Sequence, residues 1–271
     1  MLADRPNLRR MPHADVNGQR IYYEDSGGDG PPVILAHGFL MDHSMFDPQV
    51  EALGPDHRVI TWDERGFGET EFDGQPFTYW DSAKDLLGLM DHLGIDRAVV
   101  GGMSQGGFVS MRAALLAPDR VRALVLLDTS SHPEPPEVVE RNNGMIAMWL
   151  EHGPVDELAQ AVATIIVDHP DHNDRWVDKW QSRDKELMRH PSACLMERED
   201  ITNRLAEITC PAIVVHGIED TAIPMSYAED LVAGLPGARP VIAVKGAHAA
   251  NMTNPGPVNE ALRTFLADLP A

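Results

Sequence analysis

The chain has few cysteines and no long apolar segment, and each shortage excludes a class of protein. Only Cys194 and Cys210 occur among 271 residues, which excludes a disulfide framework and fits a reducing cytoplasm. The longest purely apolar run, residues 145–150, falls far short of the roughly 18–20 residues of a membrane span. Residues 1–11 are polar and no apolar stretch follows them, unlike a signal peptide. We therefore expect a cytoplasmic protein without a membrane partner.

Positive charge is scarce as well. The 22 lysines and arginines are outnumbered by 42 aspartates and glutamates, giving a formal net charge of −20. Such a surface repels phosphate backbones, so we expect no nucleic-acid partner. No spacing of histidines and cysteines suggests a zinc site, and the glycines of residues 27–30 precede Pro31 rather than a helix. We therefore expect no metal and no nucleotide cofactor.

The sequence does contain an alternation of short apolar runs and helical patterns. Its 43% of hydrophobic residues is ordinary for a globular protein, and continuous apolar runs are typical of strands buried on both faces of a parallel sheet. We predict strands at residues 19–24, 33–37, 59–62, 98–103, 123–127, 212–216 and 239–244. Helical spacing predicts helices at 79–93, 105–117, 225–235 and 257–269. The fold class is therefore α/β, a doubly wound and mostly parallel sheet flanked by helices.

The alternation is interrupted between residues 132 and 205, where prolines separate helical stretches near 137–152, 155–167, 175–189 and 193–205. The predicted organisation is a core of residues 12–131 and 206–271 with a helical insertion of residues 132–205. Methionines and tryptophans at helical spacing favour a packed core, but some of them would line an apolar pocket. The candidate pocket residues are Met145, Met148, Trp149, Trp176 and Trp180.

The segment GMSQG at residues 102–106 carries the sharpest chemical signal, because it joins an apolar strand to a helix. A serine in such a tight turn projects its hydroxyl above the sheet, and flanking glycines let backbone and helix approach closely. Ser104 is therefore the candidate nucleophile. A serine hydroxyl needs a base, and the base needs an orienting acid. His248 is the candidate base, since it alone among the histidines follows the final predicted strand.

Three carboxylates are candidates for the orienting acid. Asp220 and Asp128 each follow a predicted strand, so either could hold an imidazole, and Glu219 is the third; we favour Asp220. The backbone N–H groups of Phe39 and Gln105 are candidates for an oxyanion hole. Phe39 follows the strand at 33–37, and Gln105 begins the helix after Ser104.

Two further features look chemical but are expected to be structural. The segment DERGFG at residues 63–68 has glycines that suit a tight loop and charges that can fix that loop in place. His37, which precedes Gly38 and Phe39, is also expected to be structural rather than catalytic.

These motifs together resemble the α/β-hydrolase fold superfamily. The matching segments are HGF at 37–39, DERGFG at 63–68, GMSQGG at 102–107, GIED at 217–220 and GAH at 246–248. The resemblance implies Ser104 as nucleophile, Asp220 as acid and His248 as base, with Phe39 and Gln105 forming the oxyanion hole. It also implies that residues 132–205 form a helical cap over the site.

Within that superfamily the chain is most similar to carboxylesterases and to 3-oxoadipate enol-lactonases, the latter through DLLGLMD at 85–91 and GAHAAN at 246–251. We expect a serine hydrolase of small carboxylic esters or lactones that works through an acyl-enzyme. Alternatives are enol-lactone ring opening, C–C bond hydrolysis and cofactor-free haloperoxidase or perhydrolase chemistry; a non-catalytic ligand-binding member is more remote. Ser104 excludes the aspartate nucleophile of haloalkane dehalogenases and epoxide hydrolases. The oligomeric state is left open, a homo-oligomer included.

Overall fold

One sheet of eight strands runs through residues 13–270, the part of the chain that the computed structural model describes. The strands are β1 (His13–Val16), β2 (Gln19–Asp25), β3 (Pro32–Ala36), β4 (Arg58–Trp62), β5 (Ala98–Met103), β6 (Val121–Leu127), β7 (Ala212–Gly217) and β8 (Ile242–Val244). Their order is β1-β2-β4-β3-β5-β6-β7-β8. The β1–β2 and β2–β4 pairs are antiparallel and the others are parallel. The predicted fold class is confirmed, whereas the interpretation of residues 1–11 lies outside the described residues.

Ten α-helices accompany the sheet within the same residues. They are α1 (Asp47–Leu53), α2 (Tyr79–His92), α3 (Gln105–Leu116), α4 (Pro136–His152), α5 (Asp156–Ile166), α6 (Pro170–Gln181), α7 (Arg189–Met196), α8 (Met225–Gly234), α9 (Ala250–Thr253) and α10 (Pro255–Ala267). Between residues 13 and 270, no helix combines the length and the apolar character that crossing a membrane requires.

The central strands are buried on both faces, and successive side chains pack into different hydrophobic clusters. In β3, Ile34 and Ala36 join the cluster that contains the apolar residues of α2, α3 and α8. Val33 and Leu35 join the cluster that contains those of α1 and α10. Burial on both faces explains why these strands are continuous apolar runs in the sequence.

The structure differs from the sequence prediction in its shorter elements. β1 and α1 are not predicted, because four and seven residues are too few for a clear periodicity. β8 is only three residues long, because Pro240 lacks the N–H that a longer strand would use. The helix predicted at 175–189 begins at Pro170 and ends at Gln181. Asp184 then starts a separate 3₁₀ turn by accepting the N–H of Glu186 at 3.0 Å.

The helices α4 to α7 lie between β6 and β7 in the chain. Their tryptophans Trp149, Trp176 and Trp180 are buried in the same hydrophobic cluster as Leu35 of the sheet. The indole N–H of Trp180 also donates to the carbonyl of Leu40, which follows the carboxyl end of β3, at 2.7 Å. The inserted helices are therefore packed against the carboxyl-end side of the sheet.

Candidate active site

Ser104 lies in a strained turn between β5 and α3, with φ of 52° and ψ of −114°. Its N–H donates to the carbonyl of Leu127 at 2.9 Å, which holds the turn in place. A Cβ at Gly102 or Gly106 would overlap the carbonyl oxygen of Ala36, so only glycine permits this close approach of turn and strand. Side-chain-bearing residues rarely adopt a positive φ, and such strain persists where the surrounding structure fixes it, often at functional sites.

The second element of the site is a pair formed by His248 and Asp220. Asp220 follows β7 and His248 follows β8, so the neighbouring strands bring their loops together. Nδ1 of His248 lies 2.8 Å from Oδ2 of Asp220. Oδ1 of Asp220 accepts the N–H groups of Ala222 at 2.8 Å and Ile223 at 3.0 Å. Asp220 is thereby fixed, and it orients the imidazole.

The charges of this pair stabilise each other. Burial by itself would raise the pKa of the Asp220 carboxyl, but His248 and the N–H of Ile223 outweigh it, and the net pKa lies below the ordinary value. Burial likewise would lower the pKa of His248, yet the Asp220 carboxylate raises the net pKa above the ordinary value. A proton on the imidazole is therefore favoured, which is what an imidazolium formed during catalysis requires.

Asp128, the alternative acid, has a different partner. Its Oδ1 accepts the N–H of Gly217 at 2.7 Å. Burial, and then the nearby Asp220 carboxylate, raise the pKa of Asp128 well above its ordinary value. Glu219 is exposed. Of the three candidates, the structure places Asp220 in hydrogen-bonding contact with His248.

Three residues at the carboxyl ends of β6 and β7 have the donor types of a metal site. Ligand atoms of Asp128, His216 and Asp220 lie within 4.8 Å of one another. Asp220 is already bound to His248, and Nε2 of His216 lies 2.9 Å from the carbonyl of Ile223. All three residues already have protein partners, since Asp128 accepts the N–H of Gly217, and burial also favours the protonated form of Asp128, so this donor set fits a metal poorly.

The two candidate oxyanion donors belong to different elements near Ser104. Gln105 is the first residue of α3, where a backbone N–H has no partner within its own helix. Phe39 follows β3 and lines the same cavity as Ser104 and His248. Gln105 is thus adjacent to Ser104 in the chain and Phe39 shares its cavity, and the oxyanion role of their N–H groups stays a prediction.

An apolar cavity of about 130 Å³ opens onto Ser104 and His248. Its walls come from the sheet loops and from the inserted helices. The lining residues from α4 and α5 are Val138, Arg141, Asn142, Met145, Ile146, Trp149, Val162, Ile165 and Ile166.

The five candidate pocket residues are divided by the structure. Met145 and Trp149 line the cavity of Ser104. Met148 is 51% exposed, and Trp176 and Trp180 line a second cavity, beside Lys179 and Arg183. The prediction that these three residues line the acyl pocket is therefore corrected. The reason is the rotation of α4 and α6, which the apolar composition of the helices does not specify.

Comparison with known proteins places this architecture in a family. Residues 31–255 match the family model described as the alpha/beta hydrolase fold. The chain belongs to this family. A putative carbamate hydrolase, RutD, from Azorhizobium caulinodans is 28% identical over 273 residues that cover 96% of this chain and 99% of the relative. RutD from a Caulobacter species is 31% identical, with 95% and 98% covered.

Solved α/β-hydrolase structures agree with this assignment. The enol-lactonase from Burkholderia xenovorans superposes with a TM-score of 0.87 at 28% identity, covering 95% of this chain and 100% of that one. A thermophilic esterase from Thermogutta terrifontis, solved with malate bound, gives a TM-score of 0.86 at 29% identity, with 97% and 99% covered. The resemblance to this superfamily is confirmed, and hydrolase activity is supported by the family and by these relatives.

Sequence reasoning missed most of the cavity wall of this α/β hydrolase. Val138, Asn142, Met145 and Trp149 recur at spacings of three and four along α4, which is the signature of one helical face. That periodicity was available in the sequence. The contributions of α5 were not, since nothing local indicates that α5 lies beside α4 at the cavity.

Proposed function

We propose that this α/β hydrolase is a serine hydrolase that cleaves small carboxylic esters or lactones through an acyl-enzyme. The observation that carries the proposal is the 2.8 Å contact between His248 and Asp220, on an imidazole that shares a cavity with Ser104. We assign Ser104 as nucleophile, His248 as base and Asp220 as orienting acid.

The proposed reaction follows from the protonation state of the pair. Because Nδ1 of His248 donates to Asp220, Nε2 carries the lone pair that takes the proton of the Ser104 hydroxyl. The serine oxygen attacks the carbonyl carbon, and the N–H groups of Phe39 and Gln105 stabilise the oxyanion. His248 then gives the proton to the departing alkoxide. Water, activated by the same imidazole, attacks the acyl-enzyme and releases the acid.

We further propose that residues 132–205 act as a cap over a core of residues 12–131 and 206–271. The support is that α4 and α5 contribute a large part of the cavity wall. A cavity of about 130 Å³ is small beside the roughly 300–1,000 Å³ of drug-sized ligand sites, which favours short acyl groups. The cytoplasmic location and a homo-oligomeric state stay predictions.

Carbamate hydrolysis is a second candidate, supported by the relatives named putative carbamate hydrolases along nearly the whole chain. A carbamate carbonyl would react through the same serine, base and oxyanion donors. The deciding experiment is a panel of p-nitrophenyl esters, lactones, enol-lactones and carbamates, assayed with the wild type and with Ser104→Ala. A substrate hydrolysed only by the wild type supports the proposed chemistry, while no turnover of any of them favours a ligand-binding member of the fold.

Met145→Ala is expected to widen the pocket and to raise the relative kcat/KM for longer acyl chains about tenfold. Met145 is half-buried at the cavity wall, and a methylene in such a pocket is worth about 1–3 kcal/mol. The measurement is kcat/KM for p-nitrophenyl esters of increasing chain length. Met148→Ala, on the exposed side of α4, is the matched control. An unchanged chain-length profile in Met145→Ala would place the acyl site elsewhere.

Trp149→Ala is expected to act mainly on stability, lowering the free energy of unfolding by about 3–5 kcal/mol. Its indole is 4% exposed and its ring centroid lies 6.0 Å from that of Trp180, within the core of the inserted helices. Urea denaturation of the variant beside Met145→Ala tests the difference. A change in acyl preference without a loss of stability would contradict this role.

Arg141→Gln is expected to lower kcat/KM for anionic half-esters, relative to neutral esters, about two- to fivefold. The other charges at this wall are balanced, since Glu134 pairs with Arg198 at 2.9 Å. Arg141 has the amide of Asn142 at 3.5 Å and no ion-pair partner within residues 13–270. An exposed ion pair is worth about 0.2–1 kcal/mol, which sets the modest size of the effect. Arg189→Gln, away from the cavity, is the control, and equal ratios in both variants would rule out charge selection.

A further inference from the structure

A buried histidine outside the proposed triad lies two residues before Phe39, one of the two proposed oxyanion donors. His37 is 0% exposed and stands between β3 and Phe39. Its Nε2 lies 3.0 Å from the backbone nitrogen of Glu64, and its Nδ1 lies 2.8 Å from the carbonyl oxygen of Gly38. Both ring nitrogens are therefore engaged by the backbone.

The backbone partners fix the tautomer of His37. The N–H of Glu64 can only donate, so Nε2 must be the acceptor and the proton must lie on Nδ1. Nδ1–H then donates to the carbonyl of Gly38. Burial lowers the pKa of His37, which keeps the ring in the neutral form that this arrangement needs.

The carbonyl of Gly38 and the N–H of Phe39 belong to one peptide group. In a planar trans peptide these two bonds point in opposite directions, so fixing the direction of the carbonyl fixes that of the N–H. The N–H of Gly38 is also held, at 3.3 Å from the sulfur of Met45. The loop that follows β3 therefore has little freedom to rotate the Phe39 N–H away from the serine.

The partner of His37 is itself fixed by the charged loop of residues 63–68. Asp63 accepts the N–H of Glu69 at 2.8 Å, and Arg65 forms a bidentate ion pair with Asp85. From the inserted helices, Arg183 donates to the carbonyls of Gly66 and Gly68. These contacts explain why so many charges are concentrated beside a glycine-rich turn.

We propose that His37 is a positioning residue for the oxyanion hole, and that the loop of residues 63–68 supports it through the N–H of Glu64. The inference rests on the proposed serine-hydrolase function. His37 touches no substrate; together with the N–H of Met41, which donates to the same Gly38 carbonyl at 3.0 Å, it sets the direction of the Phe39 N–H. Losing a complete oxyanion donor costs about 10²–10³ in kcat, so misdirecting one is expected to cost about 10- to 100-fold.

Three substitutions separate the two hydrogen bonds of the ring. His37→Asn places an amide nitrogen near the position of Nδ1 and can still donate to the Gly38 carbonyl. His37→Gln places its amide near Nε2, and His37→Leu makes neither bond. We expect His37→Asn to stay within about tenfold of the wild-type kcat, whereas His37→Gln and His37→Leu lose about 10- to 100-fold with little change in KM.

The readout that isolates positioning is affinity for a methyl trifluoromethyl ketone, whose hemiketal oxyanion occupies the hole. We expect that affinity to fall in parallel with kcat in His37→Gln and His37→Leu, after correction for the folded fraction. Equal ketone affinity in all folded variants would overturn the proposal. Ser104→Ala tests the serine-hydrolase function separately from the role of His37. If Ser104→Ala keeps the turnover of the wild type, the proposed function is wrong, whatever the His37 variants show.

A measurement on the wild type covers the case in which the variants do not fold. Imidazole ¹⁵N spectra should show His37 neutral with its proton on Nδ1, and the Nδ1–H resonance should shift when the ketone binds. A proton on Nε2, or a resonance that the ketone leaves unchanged, would contradict the role.

Discussion

Ser104→Ala is expected to abolish ester hydrolysis while leaving the fold intact. Removing the nucleophile of a comparable triad costs up to roughly 10⁶ in turnover, because only binding and oxyanion stabilisation remain. The turn should be preserved, since the backbone N–H of residue 104 still donates to the carbonyl of Leu127, and alanine adds no atom to the crowded turn. The measurements are kcat for a short p-nitrophenyl ester and the urea midpoint of both proteins.

Covalent labelling provides the independent check. A fluorophosphonate should add one adduct to the wild type, located on Ser104 by peptide mass spectrometry, and none to Ser104→Ala. The matched control is Ser110→Ala, in α3, whose hydroxyl donates to the carbonyl of Gly106 and has no place in the chemistry. Labelling of any other serine would mean that the nucleophile is misassigned.

Asp220→Asn is expected to lower kcat by about 10⁴, the loss known for the same change in a comparable triad. The amide holds the imidazole in the wrong tautomer and cannot stabilise an imidazolium. In the wild type, activity should fall as the pH drops through the pKa of His248, which the Asp220 carboxylate holds above its ordinary value. Without that carboxylate the acidic limb of the pH–rate profile should move to lower pH.

Asp128→Asn is the matched control, and it should stay within a few-fold of wild-type turnover. Asn keeps an acceptor for the N–H of Gly217 and is neutral, like the protonated form of Asp128 that burial favours. If Asp128→Asn abolishes turnover while Asp220→Asn does not, the acid is misassigned.

The same variant reports on stability through proton linkage. The pKa of Asp128 is raised in the folded state, so the wild type loses stability as the pH rises above about 4 and through the folded-state pKa. Because Asn does not titrate, the free energy of unfolding of Asp128→Asn does not have this pH-dependent loss. The stability of Asp128→Asn relative to the wild type should therefore increase as the pH rises from about 4, measured as urea midpoints, and a difference that does not change with pH would contradict the raised pKa of Asp128.

The sequence by itself determined the α/β architecture and the position of the serine. Strands buried on both faces are apolar at nearly every position, so β3, β5 and residues 123–127 of β6 are visible as continuous runs. The turn at Ser104 requires glycines on both sides because the carbonyl of Ala36 lies against it, which makes the elbow a local signal. Short elements such as β1 and α1 depend on neighbours distant in sequence, and local patterns do not specify them.

Only the tertiary structure decided which of several equivalent side chains meet. Asp128 and Asp220 both follow strands, but only the packed loops place one against His248 and the other against the N–H of Gly217. Met145 and Met148 lie less than one helical turn apart, and the rotation of α4 directs the first into the cavity and the second into solvent. Such choices depend on angles and distances between elements, which result from packing over the whole chain and leave no local trace in the sequence.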